Sequence, residues 1–450
     1  MPRPATCVGC ADTYARRVLP RFEIVHRVRP MALVASERRS GFMAPFVAVE
    51  AALPDPAAPA TCVVAGADGV HLAAVWDGRA VRLEVTDAAG RTTRHVSRRH
   101  GRPEATPDGL ALTLTGSELC ALTREEGGWR VRSRVDVRPA VDPRDPDLLA
   151  TLEAYADGVD DWRAGDFGRL GLRDPKLVAH ADGRPVERDG RLFLALTHAG
   201  PGFGDTGHCG IWSWDPATGS LAPTARLFFR RGGRVLGDHA THVVRDGDRW
   251  LVATSTWGDF DRTSVDITLA ATTDDVLAGD HVLDATPLGL PRPAPTVAVW
   301  DPHLAVVDGH WHVAYVAARR FFDFRPVLAR ADRPGRLDGW TLLGVADDRR
   351  ATEGTSLVRV DGSWRVLASD GPDNPRGLRR RYPVFDLGLR EIGVLDAPYP
   401  SNIPWPTVVE HDGRWHLVTF DGTPCGGRLA GYGTHGDLLL MCSREAPEGA

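Results

Sequence analysis

Three acids open apolar, strand-like runs: Asp174 in RDPKLV, Asp301 in WDPHLAVVDGHW and Glu353 in EGTSLVRVDGSW. Gathered in one partly desolvated pocket, three carboxyl groups cannot all ionise at their ordinary values, and one is expected to stay protonated near neutral pH. A protonated acid beside a carboxylate is what cleavage of a glycosidic bond needs. The acid protonates the departing oxygen while the carboxylate activates water from the opposite face. That chemistry requires no cofactor. An acid at a strand start often does no more than cap a turn, so these three stand out by recurring at equivalent places.

The elements that must position them are hairpins. Trp300 to Ala318 alternates as a half-buried strand does, turns tightly at Asp308-Gly309 and alternates again. The same unit recurs around Asp189-Gly190, Asp246-Gly247, Asp361-Gly362 and Asp412-Gly413, with turn glycines 51 to 62 residues apart. That spacing accommodates four strands per copy, and five copies predict a five-bladed β-propeller over about 171–450. In a propeller the first strand of each blade is innermost, so residues that begin those strands meet at one mouth. Counting back from each turn glycine predicts that this mouth collects Asp174, His239, Asp301, Glu353 and Trp405. Trp257, Trp300 and Phe260 are close in sequence and offer apolar faces to a sugar ring. His242 either contacts substrate or bonds neighbouring backbone.

RDPKLV, WDPHLAVVDGHW and EGTSLVRVDGSW resemble the three signatures of family 43 glycoside hydrolases, with 127 residues from Asp174 to Asp301 and 52 more to Glu353. The resemblance implies a five-bladed propeller with Asp174 as general base, Glu353 as general acid and Asp301 tuning and orienting that acid. It also implies an inverting enzyme that removes terminal pentose units such as arabinofuranosyl or xylosyl residues. Relatives often hold a structural calcium on the propeller axis near a histidine of the last blade, which points to His435 here. Two departures bear on the substrate. Thr355 stands where the family usually has proline after Glu-Gly, and the second copy reads His239-Ala240-Thr241-His242 where tryptophan and an acid are usual.

Upstream, seven short strand-like runs between about 41 and 140 predict an all-β sandwich, jelly-roll-like in pattern. Cys62 and Cys120 fall inside those runs and read as core residues. Residues 141–170, proline- and charge-rich at their start, read as a linker with a short helix. Residues 1–40 carry eight arginines against Asp12, Glu23 and Glu37 and read as a solvated arm or a strand laid across a neighbouring domain.

A net charge of −5 argues against nucleic acid as the main partner. Without an apolar leader or a long apolar run, the expectation is a cytoplasmic protein with no membrane partner and a saccharide substrate; oligomeric state is left open. Cys7 and Cys10 form a CxxC without the second ligand pair a zinc site needs. Lys176 is the only lysine, which reads first as genome composition. Two other functions fit the same scaffold: an enzyme that transfers the glycosyl unit or tailors a metabolite, and a saccharide-binding propeller without catalysis.

Overall fold

The computed structural model describes residues 18–431 and 436–444. Regular structure among them is β apart from one short α-helix, Pro146–Thr151, and two 3-10 turns. No helix among the described residues is long and apolar enough to cross a membrane.

Five of the sheets begin with the strands that carry the recurring hairpins: Gly171–Leu177, His239–Asp246, Ala298–Val307, Thr352–Val360 and Thr407–His411. These first strands touch one another in ring order, the fifth returning to the first. In the third and fourth sheets four antiparallel strands follow each other in sequence order. The hairpins form because Asp-Gly satisfies a turn with two left-handed residues, as at Asp308 and Gly309 (φ 50° and 77°) and Asp361 and Gly362 (φ 48° and 75°). Apolar side chains between adjacent sheets form the cores. One cluster joins Val243, Trp250 and Val252 to Ile211 and Leu227, and the next joins Val244 and Leu251 to Val299, Trp311 and Val313.

The fifth sheet is completed from the other end of the chain. Phe22–Val28 pairs antiparallel with Asp437–Ser443, from Phe22 opposite Ser443 to Val28 opposite Leu438. Within the basic segment, Phe22–Val28 lies as a strand on the fifth sheet, and residues 1–17 lie outside the described residues. Its charges are matched, with Arg27 reaching Asp421 and Asp437 at 2.6 Å each.

Two further sheets face each other across one core. The larger runs Gly128–Asp136, Glu118–Glu125, Gly109–Thr115, Phe46–Ala52, Trp162–Arg169 and Ala32–Glu37, and the other runs Glu153–Asp157, Ala60–Ala65, His71–Trp76, Val81–Thr86 and Thr92–His95. Cys62 and Cys120 lie within their shared core as free thiols. The segment 141–170 is therefore not a linker. After the helix it supplies Glu153–Asp157 to one sheet and Trp162–Arg169 to the other, where backbone pairing with Ala60–Ala65 and Phe46–Ala52 overrides its polar composition. Cys7 and Cys10 lie outside the described residues.

Phe22 is fully buried against Leu395, Val408, Leu417 and Leu439. Phe22→Ala should lower stability to urea denaturation by about 3–5 kcal/mol, the cost of truncating a core aromatic; a loss below about 1 kcal/mol would show that this strand is dispensable to the fifth sheet.

Candidate active site

Each of the first four ring strands carries the same irregularity. Pairing with the second strand shifts register between Arg173 and Lys176, between His239 and His242, between Trp300 and His303, and between Glu353 and Ser356. Inside each bulge sits a residue with left-handed backbone: Asp174 (φ 56°), Ala240 (φ 58°), Asp301 (φ 58°) and Gly354 (φ 71°). Bulges of this kind turn a side chain out of the ladder and re-aim it. Asp174, Ala240, Asp301 and Gly354 are thus structurally equivalent, and Arg173, His239, Trp300 and Glu353 form the step before them.

This corrects the assignment in the second sheet, where the partner of Asp301 is Ala240 and not His239. The slip comes from the turn. Asp246 pairs with Arg249, so Gly247 is the first of two turn residues, whereas Gly309 is the second of its pair. Glu353 likewise precedes the bulge, and Gly354 occupies it.

Asp174 and Asp301 are 7% and 1% exposed, and Glu353 is half-buried. Asp174 pairs with Arg173 Nε at 3.2 Å. Burial raises its pKa, opposed by Arg173, by a hydrogen bond from Thr197 and by Lys176. Asp301 accepts from the Gly354 N–H at 3.2 Å, and its own N–H donates to Ser255 Oγ at 2.9 Å. Burial drives the Asp301 carboxyl well above its usual range, the charge of Glu353 adds to this, and Lys176 opposes both. Burial, then the charge of Asp174, pushes Glu353 up to about 7. The Trp405 and Trp300 indoles and Arg173 pull it down. The Trp405 indole N–H falls short of a formed bond to Glu353 and has no other acceptor. The charge of Glu353 thus acts on Asp301 and that of Asp174 on Glu353.

The other expected residues divide. His239 is buried beside the acids, donating from Nδ1 to Gly237 O at 3.1 Å and facing Arg173 Nη2 through Nε2 at 3.4 Å. Burial lowers its pKa to about 3, so it is a neutral imidazole. His242 is fully buried beyond the bulge, where its Nδ1 accepts from Leu304 N–H at 3.0 Å and its ring stacks on His303 at 3.7 Å. His242 thus bonds neighbouring backbone. Trp300 and Trp405 are 4% and 3% exposed and wall in Glu353 without offering open faces. Trp405 packs so closely on Gly354 that an added Cβ there would lie 2.3 Å from its ring. The half-buried aromatic surface comes from Trp257, Phe260 and Phe321, with ring centres 5.1 Å (Trp257 to Phe260) and 5.3 Å (Phe260 to Phe321) apart.

Lys176 is the main residue the sequence reading set aside. It is fully buried, donates to Thr355 O and to Ser356 Oγ at 3.2 Å, and lies 5.0 Å from the centre of a Trp405 ring. Its signal was available: a single lysine, two residues after a candidate acid, in a chain that otherwise uses arginine. Arg173, paired with Asp174, was also missed. No group of three or more His, Cys, Asp or Glu among the described residues could hold a metal. His435 lies outside the described residues.

No family model matches the chain, nor does any curated protein sequence. Among solved structures, the chain is similar to a Bombyx mori GH32 β-fructofuranosidase mutant in complex with sucrose (TM-score 0.43, 17% identity, 60% of this chain and 59% of that one). It is also similar to a GH43_1 enzyme from Xanthomonas citri complexed with xylose (TM-score 0.43, 15% identity, 62% and 90%). A third is an α-L-arabinofuranosidase from Clostridium thermocellum (TM-score 0.37, 16% identity, 54% and 82%). The match thus spans about 59% of the length of the silkworm enzyme.

With its folded pKa raised to about 7, Glu353 favours the folded state fully below its unfolded value, and that contribution is lost as pH rises through about 7. Glu353→Gln should therefore raise the melting temperature at pH 8 and leave it unchanged at pH 4, measured by thermal unfolding. A variant no more stable than wild type at pH 8 would contradict the raised Glu353 pKa.

Proposed function

We propose that this protein is a glycoside hydrolase whose five ring sheets form a five-bladed propeller preceded by a β-sandwich, and that it inverts configuration while removing terminal pentose units. What supports this reading is that Asp174, Asp301 and Glu353, on the bulged starts of three ring strands, are buried or half-buried and act on one another's protonation, burial and Asp174 pushing Glu353 up to about 7.

Glu353 is the general acid. It is the most exposed of the three and protonated below about pH 7, so it can reach and protonate a glycosidic oxygen. Asp174 is the general base. Arg173 and Thr197 favour its carboxylate form, which deprotonates water for attack from the opposite face of the ring. Asp301 orients the acid. Its Oδ2 accepts from the N–H of Gly354, the residue after Glu353. In an inverting site the acid and base stand roughly 6.5–9.5 Å apart, leaving room for water. Trp257, Phe260 and Phe321 supply apolar surface for a sugar face, while neutral His239 and Arg173 offer polar contacts at the same step of the strands. No step needs a cofactor.

Turnover of nitrophenyl arabinofuranosides and xylosides, with galactosides and fructosides as comparisons, tests the substrate class, and NMR of the first anomer released tests inversion. kcat/KM should fall as pH rises above about 7, when Glu353 loses its proton. Glu353→Gln should abolish that limb and slow hydrolysis of unactivated glycosides about 10²- to 10⁴-fold. Wild-type rates in this variant, or transfer to an added alcohol as the sole outcome, would overturn the hydrolytic assignment.

A further inference from the structure

Several arginines on the larger sheet of the sandwich are satisfied where they stand. Arg124 pairs with Asp108 at 2.7 Å, Arg138 with Asp136 at 2.5 Å and Arg132 with Glu125, while Arg134 lies 4.9 Å over the Phe203 ring. Three others are not. Arg99, Arg130 and Arg428 make no ion pair and no side-chain hydrogen bond among the described residues, and all three line one cavity of about 340 Å³.

The three reach that cavity from three separately fixed pieces of backbone. Arg99 sits in a turn where Gly101 N–H donates to Ser97 O and Val81 N–H donates to Gly101 O, both at 2.8 Å. A Cβ at Gly101 would lie 2.7 Å from Ser97 O, so the turn needs glycine there. Buried Arg132 holds the same turn, its Nη1 donating to His100 O and Arg102 O at 3.4 Å each, and Glu125 neutralises its charge. Arg130 extends from the strand Gly128–Asp136. Arg428 comes from the connection between the last two strands of the fifth ring sheet. That connection is docked on the sandwich, with Val131 N–H donating to Gly426 O at 3.1 Å and Ala430 buried in the sandwich core.

We propose that this cavity binds a phosphate monoester of monosaccharide size, clamped between the sandwich and the fifth ring sheet by Arg99, Arg130 and Arg428.

Charge and size select that ligand. Three gathered guanidinium groups repel one another, and the one uncommitted acid on the lining is Glu104, so two positive charges stand unmatched. A phosphate monoester carries close to two negative charges at neutral pH and presents three oxygens, which guanidinium forks match. A carboxylate or a sulfate ester brings only one charge. The volume lies near the lower end of small-molecule sites, roughly 300–1,000 Å³, and leaves room for one sugar ring beyond the phosphate. Half-buried His100 and exposed Glu104 offer partners to ring hydroxyls. None of these residues belongs to the acid site, so the binding stands apart from the proposed reaction.

Isothermal titration calorimetry of the full chain, at about pH 7.5 and physiological salt, tests it with glucose 6-phosphate, ribose 5-phosphate, inorganic phosphate, glucose 6-sulfate and glucose. At least one sugar phosphate should saturate a single site, at least about tenfold tighter than inorganic phosphate or the sulfate ester, and glucose should not bind. Arg130→Gln and Arg428→Gln should each weaken that binding about tenfold or more, the loss of one charge-assisted contact. Arg376→Gln, exposed on the fourth sheet's side of the molecule and outside the cavity, should leave it unchanged. Affinity should also fall from pH 7.5 to pH 5, where the ester loses its second charge. No saturable binding of either sugar phosphate would overturn the proposal, as would unchanged affinity in both cavity variants. Equal binding of the sulfate ester or of inorganic phosphate would overturn it too. Because binding is read without turnover, absence of hydrolysis would count against the reaction and leave this site standing.

Discussion

Burying several charges at one point is the constraint on which this structure depends. Asp174, Asp301 and Lys176 are nearly or fully sequestered from solvent, and Glu353 is half so. None could stay there alone, because desolvation would strip its charge. They persist as a set: Arg173 on Asp174, the Gly354 N–H on Asp301, and Lys176 among acceptors supplied by the fourth sheet. The set exists only if five strands distant along the chain arrive together, so the electrostatics of the site and closure of the ring are one problem.

The repeated bulge is how backbone geometry meets that demand. An unbroken ladder would alternate side chains between the two faces of each sheet. Two residues opposite one on the neighbouring strand break that alternation, and the left-handed first of the two turns its side chain away from the ladder. Aspartate tolerates that backbone better than most residues and glycine adopts it freely. Asp174, Asp301 and Gly354 therefore suit their places locally, whereas Ala240 holds the same conformation (φ 58°) without such an excuse and is set by its neighbours. Its N–H donates to Thr197 Oγ1 at 3.2 Å, which ties the second ring strand to Arg191–Ala199 of the first sheet.

What could be read from residues alone follows the locality of each signal. The hairpins were legible because a two-residue turn with both backbones left-handed demands Asp-Gly or its like, and alternation on either side fixes the strands. The three acids followed from counting along those hairpins. The count failed in the second sheet, where the glycine sits one place earlier in its turn, and so His239 took the place that belongs to Ala240. Lys176 was hidden because one residue type in excess looks compositional until its surroundings are known. Trp162–Arg169 was hidden for another reason: WRAGDFGR carries no clear alternation and becomes a strand only by pairing with Phe46–Ala52 and Ala32–Glu37. Phe22–Val28 likewise has a partner more than four hundred positions away, beyond any local pattern.

That last pairing has an implication for biogenesis. A ring sealed by joining residues 22–28 to 437–443 cannot finish assembling while the ribosome still holds the later segment. Until then the early strand and the exposed edge awaiting it are both open to improper partners. Contacts of such long separation slow the search for the native arrangement. The facing sheets have a similar but shorter wait: among the described residues Ala32–Glu37 pairs only with Trp162–Arg169, so much of that unit can be in place before the ring closes.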